Sequence, residues 1–499
     1  MIQAETLNLI TDQWIPVRTA TGSRLIRPDQ VADPDVLGLD WPRPDLNIAC
    51  LELLIGLIYL SDPPADEDEW ESRKPDPERL RARLAPYAPA FNLGGDGPRF
   101  LQDRVSLPGD PNPVDMLFID SAGGQTAKNN ADLMVRRGRY SALPAGLAAM
   151  ALYTLQAHAP SGGAGNRTSM RGGGPMVTLV DPGGTVWDLL WANVPHGAPQ
   201  SADALPWMRP TRTSEKGKPE TFPPETNAPS AEVFFGMPRR LRLCFEDGSV
   251  TGVIQRPYGT NYARWRHPLT PYYRMKEGGE ALPVHPKAGT FGYRNWLGVV
   301  MEGKSDGLRI EAETLRTFRR RVTRATPKVI VAGWAMDNMK PRDFTWSSQP
   351  LPTVDALGAR LIRGMVEAAG LFAMALRDAL KPVCRVDDAG STMLEALREA
   401  FFLRTEADFH AAVAALERGE DRVKVASGWL ATMRRTALPL FEERALPGLE
   451  DRRMKEVEAV LKARGNLLAA FAGRSKTGRD AFGKLELELP EANRKKEEA

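Results

Sequence analysis

The sequence predicts an α+β protein: a large mixed α/β N-terminal domain with many loops over residues 1–352, a C-terminal four-helix bundle over 353–490, and a flexible tail over 491–499. Three observations predict it. Residues 1–352 are punctuated by proline and glycine and hold short apolar runs, Trp14–Val17, Val177–Val180, Val186–Trp191, Leu241–Phe245 and Val329–Val331, the pattern of strands and short helices set among turns. From Thr353 the pattern lengthens, and Leu357, Leu361, Ile362, Met365, Val366, Leu371, Phe372, Leu376 and Leu380 recur at helical spacing. The proline cluster SSQPLPTVD marks the change, with Thr353 and Asp355 placed to cap the first helix.

In chain order, Ile48–Leu60 reads as a buried helix, because it is shorter than the ~18 apolar residues of a membrane span and carries Glu52. The acidic stretch Asp66–Glu71 reads as a solvated loop. Past the first bundle helix, three further amphipathic stretches complete the bundle: Met393–Leu403 continued by Phe409–Leu416, then Val423–Leu438, then Val457–Phe471. The final ANRKKEEA is the frayed tail.

A chain of 499 residues, 42% of them hydrophobic, can bury several cores. No basic stretch followed by an apolar one marks export. Cys50, Cys244 and Cys384 are far apart, which fits a reducing, cytoplasmic compartment, and with five scattered histidines no metal site can be read. The net charge of +3 conceals an asymmetry: residues 1–120 carry 11 basic against 21 acidic groups, 121–180 carry 6 against 1, 209–346 carry 24 against 14, and 347–499 balance at 25 against 24. A basic middle of this size favours phosphate backbones, unless the acidic N-terminal part neutralises it within the molecule.

The densest signal lies in that middle, in PSGGAGNRTSMRGGGP, Pro160–Pro175. So much glycine lets the backbone approach a partner closely, and two arginines suggest an anionic one. It is not a phosphate loop of the Walker kind, since Gly165 is followed by Asn166 and Arg167 rather than Lys and Ser or Thr. Nor is it the dinucleotide fingerprint, because Gly163 and Gly165 lack the third glycine three residues on. What remains is a cationic glycine loop suited to a nucleic-acid backbone or groove, or else a plain surface loop.

NLITDQWIPVR (8–18), PRFLQD (98–103), the run ALYTLQAHAPSGGAGNRTSMRGGGPMVTLV (151–180), WRHPLTPYY (265–273) and GWAMDNMK (333–340) together resemble the CasA family, the large subunit of the type I-E CRISPR surveillance complex Cascade. The resemblance implies a non-enzymatic subunit that reads the protospacer-adjacent motif (PAM) on double-stranded DNA, opens the duplex beside it, and hands the displaced strand to a helicase-nuclease, while a guide RNA reads the remaining sequence. The implied partners are the other Cascade subunits, the CRISPR guide RNA, target duplex with its displaced strand, and the helicase-nuclease; no membrane and no cofactor are implied. The rival reading is a scaffold subunit of a ribonucleoprotein that binds nucleic acid without reading its sequence.

By position, the resemblance places PAM contacts on Gly162, Gly163, Ala164, Gly165, Asn166 and Arg167, with Ser161 beside them, and a groove-contacting cation on Arg256. It places a strand-separating wedge on Asp337 and Asn338. Ala164 stands where a glycine is common, and Asp337 puts a carboxylate near phosphate, which favours Asn338 as the tip. A segment contacting guide RNA and neighbouring subunits falls on Lys128, Asn129, Asn130, Leu133, Met134, Arg136 and Arg137, followed by Arg139. Some relatives carry a zinc site of four cysteines; Pro144 and Leu147 occupy two of those places, so no zinc is expected.

Two further clusters are open to nucleic-acid contact on chemistry alone. Arg319, Arg320, Arg321 and Arg324 follow Phe318 and suit backbone contact or a solvated face. Tyr258, Tyr262, Trp265, Tyr272 and Tyr273 lie among Arg256, Arg264, Arg266 and Arg274, an interleaving that suits base stacking, although Trp265 beside HPLTP reads as a core corner. For an enzyme the sequence supplies no HExxH, GxSxG or Walker lysine, and no paired acidic motif near a histidine.

Overall fold

The computed structural model describes residues 7–490 except 122, 124–127, 131–134, 164, 216–219, 226–228, 304–305, 322–325 and 385–387. It divides into two units, one of residues up to 290 with 306–348, the other of 291–305 with the chain from 349 on. The expected boundary at 352/353 therefore misplaces one segment: Phe291–Ser305 clusters with the helical unit. Its loop composition hides what its aromatic side chains do there.

In the first unit the strands are β1 (Ile15–Thr19), β2 (Gly22–Ile26), β3 (Val36–Leu39), β4 (Asn112–Pro113), β5 (Leu143–Pro144), β6 (Val177–Asp181), β7 (Arg240–Glu246), β8 (Ser249–Arg256), β9 (Tyr272–Tyr273), β10 (Leu282–Pro283), β11 (Arg309–Ile310), β12 (Lys328–Asp337) and β13 (Lys340–Pro350). They form four small sheets, ordered β2-β1-β3, β10-β9-β11, β13-β12-β6 and β4-β8-β5 with β7 paired to β8. The helices are α1 (Pro44–Ser61), α2 (Glu67–Ser72), α3 (Pro77–Leu84), α4 (Ala145–His158), α5 (Val186–Ala192) and α6 (Glu313–Phe318).

Helix α1 is the axis of this unit. It runs longer than the apolar stretch suggested, 18 residues, and by length and composition could cross a membrane, but 89% of it is buried among the other elements. A helix apolar on every side belongs in a core. Pro44 starts it, where a missing N–H costs nothing. Gly56 lets Phe234 pack against it: a Cβ there would come within 2.6 Å of the Phe234 Cβ. The apolar run at 186–191 becomes helix rather than strand because Thr185 and Asp188 close a capping box, the Asp188 carboxylate accepting from Thr185 N at 2.8 Å and Thr185 Oγ1 from Asp188 N at 3.3 Å.

The second unit holds four long helices, α7 (Ala356–Cys384), α8 (Asp388–Glu417), α9 (Arg422–Ala445) and α10 (Met454–Phe471), and a short fifth, α11 (Lys476–Lys484). Tyr293 and Trp296 of the 291–305 segment fill its aromatic centre. The Tyr293 ring stacks on Phe409 with centroids 4.3 Å apart and meets Trp429 edge-on, and its hydroxyl pairs with Thr405 Oγ1 at 2.7 Å. Two glycines of α7 behave oppositely. A Cβ on Gly364 would collide with the Lys484 carbonyl of α11, whereas one on Gly370 meets nothing within 4 Å. Gly364→Ala should therefore cost about 1–3 kcal/mol through overpacking, and Gly370→Ala should stabilise by about 0.5–1 kcal/mol through helix propensity. Thermal unfolding of the two variants checks both signs.

Candidate nucleic-acid interface

The glycine stretch leaves the end of α4. That helix stops at His158 because Pro160 cannot continue it and disfavours helical geometry at Ala159. The excursion is closed at its base by Ser169 N donating to Ala159 O at 2.9 Å and Gly174 N to His158 O at 3.1 Å. Inside it, Asn166 N donates to Gly163 O at 2.8 Å and Gly162 N to Asn166 O at 3.3 Å, a tight turn. Gly163 and Gly165 have φ of +65° and +79°, values that side chains resist.

One buried carboxylate holds both stems of this loop. Glu52 of α1, fully buried, pairs with Arg171 Nη1 at 2.7 Å on the far stem and with His158 Nε2 at 2.8 Å on the near one. Arg171, 3% exposed, also donates to Ala157 O at 3.3 Å and Thr270 Oγ1 at 3.2 Å. Burial pushes the Glu52 carboxyl upward, but Arg171, the His158 hydrogen bond and the histidines outweigh it and hold it well below the usual carboxylate range. His267 lies 3.7 Å from Glu52 through Nε2, and its Nδ1 accepts from Leu269 N at 3.2 Å, so the ring proton faces Glu52. Burial, then Arg171, keeps that imidazole neutral.

The loop is also braced from β7–β8. Gln255 Nε2 donates to Asn166 Oδ1 at 2.7 Å, and Tyr258 N donates to Gly165 O at 2.8 Å. Tyr258 sits at φ +64° with 39% of its surface exposed, and its ring covers Gly165, where a Cβ would come within 2.6 Å of it. Such a backbone persists only where its surroundings impose it; here Ser214 N donates to the Tyr258 carbonyl at 3.1 Å on the other side. Arg239, 6% exposed, lies beneath the loop and donates to Pro160 O, and burial lowers its pKa to about 10.

The PAM residues read from the sequence take distinct positions. Gly163 is the bare edge, since a Cβ there meets nothing within 4 Å. Gly162 is held by packing, its Cβ position lying 2.7 Å from Arg239 Nη1 and 2.8 Å from Asn166 Cβ. Ala164 lies outside the described residues. Asn166 spends its side-chain oxygen on Gln255, and Arg167 its guanidinium on Ser214, through Nε to Oγ at 2.8 Å and Nη2 to the carbonyl at 3.0 Å. Arg256 is not against the loop: Gln255 occupies that face of β8, and the Arg256 guanidinium lies over Gly109 on the other.

The expected wedge residues stand at a hairpin tip. β12 and β13 are joined by Asn338 and Met339 alone, with φ of +48° and +62°, a two-residue turn whose twist matches the strands. Asn338 Nδ2 donates to Asp337 Oδ1 at 3.1 Å, and Arg342 Nη2 pairs with Asp337 Oδ2 at 2.9 Å, so the carboxylate at the tip is partly neutralised. The tip and the loop meet: a Cβ on Gly173 would come within 2.8 Å of Pro160 Cα and 2.9 Å of Met339 Sδ. Gly173 and Gly174 are thus backbone packed on the hairpin, Gly174 against Met336 and the Trp334 carbonyl, whereas Gly172 packs on His285.

Elsewhere, Lys128, Asn129, Asn130, Arg136 and Arg137 are exposed, with Arg137 donating to Asn130 Oδ1 at 3.1 Å; Leu133 and Met134 lie outside the described residues. Two arginines of the basic segments turn inward. Arg139 pairs with Asp120 at 2.8 Å beside Arg43, and Arg321 lies 3.5 Å from the Trp70 ring centroid and pairs with Glu67, so both act as internal anchors. Arg319 likewise pairs with Glu311 at 2.7 Å, and Arg324 lies outside the described residues. Of the aromatic cluster, Trp265 and Tyr272 are buried, Trp265 donating to Thr221 O at 2.8 Å, and Tyr258 is the member that faces solvent most.

The fold is that of a CRISPR-associated protein. The family of CRISPR-associated protein Cse1 matches residues 8–440, and the chain belongs to that family. Among solved structures, Cse1 of Thermobifida fusca is similar at 18% identity and a TM-score of 0.73, over 96% of this chain and 98% of that one. CasA (Cse1) of Thermus thermophilus is similar at 18% identity and 0.72, over 93% and 98%. A chain of a CRISPR RNA-guided surveillance complex is similar at 16% identity and 0.67, over 93% and 99%. At these identities the likeness establishes the shared fold.

Proposed function

We propose that this chain is the large subunit of a cytoplasmic Cascade complex, a binding subunit rather than an enzyme, that reads the PAM on double-stranded target DNA through the loop 162–167. The observation that carries the reading is Gly163: its edge is bare, its φ excludes most side chains, and its neighbours are clamped by Glu52, Arg239, Gln255 and Tyr258. A rigid glycine edge fits a minor groove, where backbone groups can reach base edges and the readout is degenerate. Tyr258 beside it offers a ring to a base or sugar. Other Cascade subunits and guide RNA, the latter through the 128–137 segment, are the expected neighbours, and the opened strand passes to a helicase-nuclease.

In this reading Asp337 and Asn338, with Asn338 as the tip, enter beside the PAM and hold the first base step apart, as inserted wedges do elsewhere. Complexes carrying Asp337→Ala with Asn338→Ala should form the R-loop more slowly on intact duplex, and a bubble melted in advance should restore the rate. An unchanged rate on intact duplex removes the wedge. A complex with Gly163→Asn, a residue that tolerates positive φ, should lose affinity for PAM duplex and keep it for target supplied single-stranded. Equal loss on both makes the loop a structural element.

A further inference from the structure

A cleft of about 340 Å³ opens elsewhere on the first unit, lined at depth by the buried Leu51 of α1, Val186 of α5 and Ile330 of β12. Three local features shape its rim. Leu37 is the extra residue of a β-bulge: Arg18 of β1 pairs with Gly38 and Thr19 with Val36, so Leu37 has no partner across the sheet and is 55% exposed. Gly38 leaves room for the Arg18 side chain to lie across β3, since a Cβ there would come within 2.8 Å of Arg18 Nη2. Trp346 of β13 lines the cleft with 43% of its surface in water. Two large apolar side chains and one guanidinium are thus left at the mouth of an apolar cleft.

The charge at this cleft is unbalanced. Among the described residues Arg18 forms no ion pair, because the acids of the same small sheet are taken: Asp33 and Asp35 by Arg24 at 3.4 and 2.9 Å, and Asp40 by the Ser23 hydroxyl at 2.6 Å. Asp181 is the carboxylate that lines the cleft, but its Oδ1 accepts from Gly183 N at 2.9 Å and Lys328 stands opposite it in the β6–β12 register. An occupant that sets a carboxylate beside an apolar group therefore complements the site. Its backbone has a place too. β13 is the edge strand of the sheet β13-β12-β6, with no strand on its outer side among the described residues, and such an edge is a template for an added strand. Alternate side chains of a segment laid along β13 point to the same side of the sheet as Trp346, and so into the cleft. Small-molecule sites enclose most of their ligand, whereas an exposed rim beside an open edge fits an extended chain.

We infer that this cleft is a docking site for an extended segment of a partner protein, one that adds its backbone to the edge of β13, packs an aromatic or branched aliphatic side chain against Trp346, and pairs a carboxylate with Arg18. A guanidinium and a carboxylate can meet through two parallel hydrogen bonds, which fixes the register of the segment as well as its charge. No residue of the glycine loop lines the cleft, and no nucleic acid takes part, so the inference stands apart from the PAM reading.

The test selects displayed random peptides of about 10 residues, the upper length of ordinary strands, against the full chain. The enriched peptides should share a large apolar residue and an Asp or Glu an even number of positions apart, on one side of an extended chain. A synthetic peptide of that pattern should bind the wild type, and Trp346→Ala should weaken it at least ~30-fold, as truncation of a central anchor does. Arg18→Glu should weaken it at least ~10-fold, while Arg18→Lys keeps most of the affinity. Selection repeated on Arg18→Glu should exchange the carboxylate for Lys or Arg, a gain that a misfolded variant cannot produce. Free indole-3-acetate, a small aromatic acid, should not displace the peptide at the same concentration. Peptides without a shared acid, a pattern unchanged by Arg18→Glu, binding indifferent to Trp346→Ala, or displacement by indole-3-acetate overturns the inference, the last by making the cleft a small-molecule site.

Discussion

Replacing Glu52 with glutamine should lower the unfolding free energy by about 3–5 kcal/mol, the cost of leaving a buried cation without its partner. Arg171 is 3% exposed and, among the described residues, has only Glu52 as a carboxylate partner, at 2.7 Å, so the amide strands its charge, and His158 loses its anionic acceptor as well. The same pair predicts a pH dependence. Because the folded-state carboxyl is held below its ordinary value of 4.5, its contribution is fully present above about that pH and is lost as the solution is acidified further. Denaturant unfolding of wild type and Glu52→Gln between pH 7 and pH 3 should show wild-type stability falling toward that of the variant. Parallel curves across the range would mean that Glu52 carries no such linkage.

Gly165→Val should cost about 2–5 kcal/mol in loop geometry and weaken PAM-duplex binding at least ~30-fold. A β-branched residue at φ +79° pays about 1–2 kcal/mol for left-handed backbone, and its Cβ, 2.6 Å from the Tyr258 ring, adds about 1–3 kcal/mol of overpacking. The loop escapes both by leaving its seat, which breaks the Tyr258–Gly165 hydrogen bond at 2.8 Å. Affinity for single-stranded target, which is paired by the guide RNA, should be retained; equilibrium binding to the two targets measures the difference. Retained PAM-duplex affinity would show that the seat on Tyr258 does not matter.

Much of the architecture was readable from local pattern. The long amphipathic stretches after Thr353 became α7–α10, and the Val-rich runs at 177–180 and 329–331 became neighbours in one sheet, Val180 opposite Val329. Helix α11 was not read because Lys476–Lys484 offers few apolar positions and is held by close packing on α7 and α10 instead. Phe291–Ser305 carried no periodic signal, and its place in the helical unit comes from two aromatic rings filling a gap.

At the site, glycine was legible because positive φ and close packing both select it locally. What holds the glycines was not, since each support arrives from far along the chain: Glu52 is 106 residues from His158, Gln255 is 89 from Asn166, and Arg239 is 79 from Pro160. A buried glutamate inside an apolar helix was the one available signal for such a clamp, because an ionised carboxylate in a core requires partners. The inward-turned arginines, Arg139 and Arg321, could be separated from solvent-facing ones only by the acids and rings that the fold sets beside them.

The central claim is that the edge at Gly163 reads the PAM, and competition for the assembled complex between two duplexes that differ only at the PAM tests it most directly. The wild-type complex should prefer the PAM duplex by the several-fold to hundred-fold that about 1–3 kcal/mol of groove discrimination provides, and Gly163→Asn should collapse that preference while leaving guide-RNA pairing to single-stranded target unchanged. A wild-type complex indifferent to the PAM, or a preference undiminished by Gly163→Asn, would contradict it.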